Sequence, residues 1–269
     1  MGHAQPNGPS TIAVDGPAAS GKSTVGRLAA ERLGYLFLDT GLLYRALTLL
    51  ALEAGVDPRD GPALAALAAG RGMEVAAAPG STTASVTVDG RDVTARLHTP
   101  GVDGAVSAVS AHGAVRDALL AHQRRPAERG RVVMVGRDIG TVVLPSADLK
   151  IYLDASAEER ARRRFRQRLA RGEPAEYAAV LAAVRHRDAL DSGRALAPLA
   201  AASDAVVVDT DDCELPATVE HVLALVRRWP DELTTAGGRA PCGAPAASEA
   251  QGSDAVEAEA ARPRTEAEP

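Results

Sequence analysis

The 269-residue sequence predicts an α/β fold, a doubly wound parallel sheet with helices on both faces. Three observations carry that expectation. Five short runs, at 11–15, 35–38, 132–135, 150–154 and 205–209, are largely apolar, as strands buried on both faces should be. Helix-periodic segments lie between or after them, and alternation of strand, loop and helix builds parallel sheets. A glycine-rich turn, GPAASGKS, joins the first strand to the first helix.

The strand at 11–15 runs into that turn, and a helix at 23–33 follows with Gly34 as its stop. After the strand at 35–38, a helix at 42–54 ends at Gly55. Glycine at such positions supplies the left-handed backbone that closes a helix. The rhythm then breaks. Segments 73–77, 84–88 and 91–94 read as short strands, with Asp89-Gly90 as a hairpin signal, so a small antiparallel insertion is expected over about 62–100. Strands at 132–135 and 150–154 come next, then helices at 158–170 and 176–190, a last strand at 205–209 and a helix at 217–228. These give one domain, 10–230, without internal repeats, after a flexible start at 1–9. Residues 231–269, rich in Ala, Glu, Pro, Gly and Ser, are expected to be a disordered acidic tail, because they bury too little apolar surface to offset chain entropy.

Composition narrows the function. Aromatic residues make up 3% and hydrophobic residues 46%, so the core is aliphatic. The net charge of −5 resides in 231–269; the remainder carries 27 acidic and 27 basic side chains. So even a balance argues against a general nucleic-acid binder. Cys213 and Cys242 suggest no disulfide or zinc framework, and no basic–apolar leader or run of 18 apolar residues occurs. The expectation is a cytoplasmic monomer with neither membrane nor nucleic-acid partner.

The turn fits G-x-x-x-x-G-K-[ST] in the strand–loop–helix context that makes the motif credible. Gly16, Pro17, Ala18, Ala19, Ser20, Gly21, Lys22, Ser23 and Thr24 form the expected ATP-binding segment. Its backbone N–H groups would cradle the β-phosphate at a helix N-terminus, Lys22 would reach the β- and γ-phosphates, and the Ser23 hydroxyl would sit on Mg²⁺. Only two lysines occur, Lys22 and Lys150, against 28 arginines. The loop does not say what receives the phosphate. No N-K-x-D guanine reader is present, and His186-Arg187-Asp188 lies in a helical pattern with no D-F-G elsewhere, which excludes a protein-kinase catalytic loop.

Further polar segments follow strand ends, where such sheets bind their ligands. They include DTGLLYR (39–45), Ser107 with Arg116, GRDIGT (136–141), the arginine-rich helix from Arg160 and RDALDSGR (187–194). Together with GPAASGKST, IYLDASAEERARRR and RDALDSGRALAPL, in order over about 10–228, they make the sequence resemble bacterial cytidylate kinase, a nucleoside monophosphate kinase. The resemblance implies a P-loop three-layer αβα fold with a central five-stranded parallel sheet and a helical lid near 156–194. It also implies transfer of the γ-phosphoryl group from Mg·ATP to CMP and dCMP.

The resemblance maps cytosine recognition onto Ser107, Arg116 and Asp138. Asp138 and Ser107 can accept from N4 while Arg116 donates toward N3 or O2. It maps sugar contacts onto Arg187 and Asp191, four apart on one helix face, with Arg194 closing over the acceptor. Arg45 and Arg137, beside Thr40 and Tyr44, are the candidates for the acceptor's phosphate, since a planar guanidinium suits that geometry. Spacing alone also allows Asp138 to be a structural partner of Arg137 or Arg116, and Arg187 with Asp191 to be an intrahelical ion pair. Seven arginines fall within 160–171, and Arg160, Arg164 and Arg168 form a stripe. Lys22, Arg137, Arg164 and Arg168 are the residues expected to stabilise the transferring phosphoryl group. One position departs from the family: Val135 precedes GRDIGT where an acidic side chain is expected, leaving Asp15 and Asp39 as strand-end carboxylates for the metal's outer shell. Two other readings stay open, a kinase for UMP or a non-nucleotide acceptor, and an ATP-dependent switch whose arginine-rich helix binds RNA.

Overall fold

The computed structural model describes residues 8–77, 84–194, 196–230 and 239–241. The chain alternates as expected through β1 (Thr11–Asp15), α1 (Lys22–Leu33), β2 (Leu36–Asp39) and α2 (Gly41–Ala54). An inserted region follows: α3 (Gly61–Ala69), β3 (Met73–Ala77), β4 (Ala84–Val88), β5 (Arg91–Asp92), α4 (Pro100–Val109) and α5 (Gly113–Arg124). The chain then completes the main sheet with β6 (Val132–Val135), β7 (Leu149–Asp154), α6 (Ala157–Ala170), α7 (Tyr177–Ser192), β8 (Val206–Asp209), α8 (Leu215–Arg228) and β9 (Arg239–Pro241).

The main sheet has the order β2-β6-β1-β7-β8-β9, with every pair parallel. The five expected strands are present within two residues of their predicted limits. The sixth corrects one expectation. Residues 239–241 fall in the segment expected to be disordered, yet they pair with β8. Backbone hydrogen bonds along a sheet edge need no large apolar side chain, which is the term the compositional argument weighed. The rest of that segment, and residues 1–7, lie outside the described residues.

Alternation along the strands builds two apolar layers. Ile12, Val14, Val133 and Val135 pack with Val25, Ala29, Val222 and Val226 of α1 and α8. Ala13, Val132 and Met134 turn to the other face, against Leu38, Ile139 and Val143. Gly34 and Gly55 close α1 and α2 in the left-handed conformation, as expected. In the insertion, Asp89 (φ 49°) and Gly90 (φ 77°) are both left-handed, as a two-residue type I′ hairpin requires.

Helices α3, α4 and α5 were not foreseen. With α2 and the three-stranded sheet β3-β4-β5 they enclose a second core around Leu43, Leu47, Leu64, Met73, Val86, Leu97 and Leu119. Helices α6 and α7 share a much smaller one, with Ala161, Val180 and Val184 buried. Chain connections leave β1 toward β2 and leave β6 toward β7, in opposite directions across the sheet. That reversal opens a crevice at the carboxyl ends of β1 and β6. Among the described residues no helix is long and apolar enough to cross a membrane.

Candidate active site

The phosphate loop leaves β1 and ends at Gly21, the left-handed residue that starts α1. Gly16 passes so close to β7 that a Cβ there would stand 2.2 Å from the Leu153 carbonyl oxygen. The Lys22 ammonium curls over the loop and donates to the Pro17 carbonyl at 3.0 Å. Burial, then repulsion from Arg137, bring its pKa down to about 7. Ser20 Oγ is buried with no hydrogen-bond partner among the described residues. Ser23 Oγ donates to Asp39 Oδ2 at 2.7 Å, and Gly41 N–H holds Oδ1 of the same carboxylate at 2.9 Å.

The other strand-end groups are otherwise engaged. Asp15 accepts from the N–H groups of Ile139 and Gly140, both at 2.7 Å. Burial raises its pKa to about 6 against those two bonds. Val135 is buried against Gly26 of α1, where an added Cβ would stand 2.6 Å from Val135 Cγ1. Its carbonyl receives both the N–H and the hydroxyl of Thr40, each at 3.1 Å. Asp39 is therefore the strand-end carboxylate that faces the loop's serine. A hydroxyl backed by a carboxylate is a hard oxygen pair and fits a divalent cation of the Mg²⁺ type.

Next to the loop, three guanidinium groups share one buried carboxylate. Asp191 receives Arg137 Nε at 2.6 Å and Arg194 at 2.6 Å, and Arg187 Nε lies 3.8 Å away. Nε of Arg187 and of Arg194 has no hydrogen-bond partner among the described residues. Burial, then the nearby Arg137 charge, lower Arg187 to about 10. Arg137 also donates to the Gly16 carbonyl at 3.2 Å, which ties this cationic cluster to the phosphate loop. The uncompensated positive charge and idle donors are what an anion would satisfy.

Beside the cluster, Arg116 forms a buried ion pair with Asp138 and lies over the Tyr44 ring at 5.4 Å. Its other arm donates to the Ser110 carbonyl at 3.2 Å. Ser107 is half-buried on α4, one turn before Ser110. Arg45 is held apart from the other arginines, donating to the Leu97 carbonyl at 2.9 Å and to Asp103 at 2.5 Å.

The arginine stripe of α6 is divided. Arg160 is buried and bonded to Asp188 of α7, and Arg168 pairs with Glu173 at 3.2 Å in the open. Arg164 lines a cavity of about 450 Å³ together with Gly21–Thr24, Arg163, Gln167, Thr210, Cys213, Leu215 and Thr218. Arg162 and Arg163 are both paired with Glu159, so much of the helix's charge is answered within the chain. That weakens the reading of α6 as an RNA-binding helix.

The structure thus joins Gly16–Ser23, Arg137, Arg187, Asp191 and Arg194 at one crevice, with Tyr44, Arg116 and Asp138 alongside. It leaves Arg45 on Asp103 and Arg168 on Glu173. Sequence reasoning missed Thr210 and Cys213, which carry no motif, and gave Arg163 no role within the arginine-rich run. It also passed over Ser110, although Ser110 stands three residues from Ser107.

A family model described as "Cytidylate kinase" matches residues 12–228. The chain is 48% identical over 216 residues to a cytidylate kinase of Geobacillus kaustophilus, covering 80% of this chain and 96% of that one. It is 50% identical over 216 residues to a cytidylate kinase of Rhodococcus opacus, covering 80% and 93%. It is 47% identical over 219 residues to a bifunctional pantoate ligase/cytidylate kinase of Synechocystis, covering 81% of this chain but 43% of that longer one. Matches of this extent, running from the phosphate loop through the three-arginine cluster to α8, place the chain in the cytidylate kinase family.

Proposed function

We propose that the chain transfers the γ-phosphoryl group of ATP to CMP and dCMP, giving ADP with CDP or dCDP. One observation supports this above the others: the phosphate loop and the Arg137–Arg187–Arg194 cluster adjoin, bridged by Arg137 through the Gly16 carbonyl. A donor phosphate in the first and an acceptor phosphate in the second would face each other for in-line displacement. The acceptor oxygen is already anionic at neutral pH, so no strong base is required, and catalysis consists of positioning and charge stabilisation. Lys22 and Arg137 would stand nearest the transferring group, with Arg164 joining from the cavity wall. When bound with ATP, Mg²⁺ supplies positive charge to the β- and γ-phosphates, and Ser23, backed by Asp39, would hold it.

Cytosine selection would rest on Arg116 and Asp138, already aligned as donor beside acceptor, with Ser107 as a further acceptor. Arg45 would leave Asp103 for the acceptor's phosphate, near Thr40 and Tyr44. Helices α6 and α7 would serve as a lid, excluding water as a competing acceptor, and Arg168 would join only in a more closed arrangement. The reading includes a monomer working in the cytoplasm without a nucleic-acid partner, the last supported by the balanced charge of residues 1–230.

The test is ADP release by the full chain from Mg·ATP with CMP, dCMP, UMP, AMP or no acceptor. Turnover with CMP and dCMP about 10²-fold or more above UMP is expected, since uracil leaves a buried acceptor unpaired. Equal rates with all four acceptors would overturn the cytosine reader, and acceptor-independent ADP release would overturn the transfer itself.

A further inference from the structure

Asp188 belongs to the His186-Arg187-Asp188 triplet, which has no part in a protein-kinase mechanism here, yet it is not idle. Both its carboxylate oxygens are taken by Arg160, at 2.9 and 2.6 Å, in the two-pronged geometry that makes arginine–carboxylate pairs strong. The same guanidinium donates through Nε to the Ala155 carbonyl at 2.9 Å and through NH1 to the Ala18 carbonyl at 3.2 Å. Ala18 sits in the middle of the phosphate loop. Three residues further along α6, Arg163 donates to the Ser20 carbonyl at 3.3 Å.

Between those two carbonyls stands Ala19, with φ at 62°. A left-handed backbone is costly for any residue with a Cβ, and it persists only where the surroundings hold it. Here the surroundings are visible: one arginine on the carbonyl before Ala19 and one on the carbonyl after it. Both bonds tie these carbonyl oxygens to α6 and so fix the loop on either side of Ala19. Arg187 and Asp191 of the acceptor cluster flank Asp188 on the same helix.

We infer that Arg160 and Asp188 form a clasp that shapes the phosphate loop and couples it to the acceptor helix α7. Occupation of either site then favours the other. Arg160 acts through the loop and through Asp188, so it is a positioning residue. The coupling rests on the proposed phosphoryl acceptor; the shaping of the loop does not. Coupling of this kind is reciprocal, so the factor by which an ATP analogue tightens CMP equals the factor by which CMP tightens the analogue.

The experiment uses the full chain, a non-hydrolysable Mg·ATP analogue and CMP, with binding measured singly and together, and turnover of the wild type with Mg·ATP and CMP as control. Arg160→Lys and Asp188→Asn should each weaken the analogue on the order of tenfold and bring the coupling factor close to one, while CMP alone binds as before. Adding Ala19→Gly to Arg160→Lys should restore most of the analogue affinity, because glycine holds φ near 60° without the clasp. A merely structural role would not give that rescue. Unchanged analogue affinity in both variants, or loss without rescue, would overturn the clasp even where the wild type phosphorylates CMP. A wild type that neither binds nor phosphorylates CMP would overturn the acceptor reading and the coupling together, and rescue of analogue affinity by Ala19→Gly would still support the clasp on the loop.

Discussion

The sheet around the phosphate loop and the α6–α7 pair are held together by different means. The first is mainly aliphatic: Ile12, Val14, Ile151 and Leu153 are buried in the core shared with α1 and α8, and their side chains carry no polar atoms to satisfy. In its apolar core the second buries only small residues, Ala161, Val180 and Val184, and adds a Phe165–Tyr177 edge contact. It relies instead on Arg160–Asp188, on Arg185–Glu158 at 2.6 Å and on a bond from the Tyr177 hydroxyl to the Glu158 carbonyl. Close-packed apolar contacts are lost steeply on displacement. Exposed ion pairs such as Arg185–Glu158 tolerate exchange of partners and are screened by salt. One region is therefore built to stay and the other to be rearranged.

The largest effect expected in the rigid region is on rate. Lys22→Met should lower kcat by about 10²–10³-fold without lowering the melting temperature, because it removes a buried charge that has little compensation before nucleotide binds. A large loss of stability would mean that the lysine is part of the packing. Next comes Leu153→Ala, which should cost about 2–5 kcal/mol in denaturant unfolding and loosen the whole sheet, since Leu153 is fully buried. Val184→Ala in α7 should cost less, about 1 kcal/mol. Its signature would be faster amide exchange confined to α6 and α7, with β1 and β6 unchanged; exchange rising equally everywhere would break the contrast.

The smallest effect concerns a proton. The folded chain releases the Lys22 proton near pH 7 rather than at the ordinary 10.5. Stability attributable to this group therefore rises from pH 7 toward pH 10.5, where the unfolded chain still holds the proton. Mg·ATP should reverse the shift by placing phosphates beside the ammonium. Calorimetry at pH 8 in buffers of different ionisation enthalpy should show uptake of up to about one proton per nucleotide, vanishing in Lys22→Met.

Much of this was legible in the residues. Near-continuous apolar runs marked the five buried strands, Gly34 and Gly55 marked helix ends, and Asp89-Gly90 marked the hairpin. Helix α3 was missed for a physical reason. GPALAALAA in α3 is apolar nearly all round and shows no amphipathic period, and its start is betrayed by Pro62 in the first turn and by Asp60, whose side chain accepts from Ala63 N–H at 3.0 Å. The repeat of Arg160, Arg164 and Arg168 correctly placed three arginines along one helix. Spacing within a helix says nothing about what packs on it, so the burial of Arg160 under Asp188 and the pairing of Arg168 with Glu173 were invisible. The cavity wall at Thr210 and Cys213 belongs to the loop after β8, brought there by the fold alone.

The short strand β9 changes what kind of edge this sheet offers. Without it, β8 would present a row of free N–H and C=O groups, a template on which another chain could build. With it, the outermost strand spans three residues and ends in Pro241, which has no N–H to give. A fragment cut at Trp229 would keep the crevice and lose the cover. It would gain a sticky flank, so self-association of such a fragment would arise from the missing strand and not from the catalytic machinery.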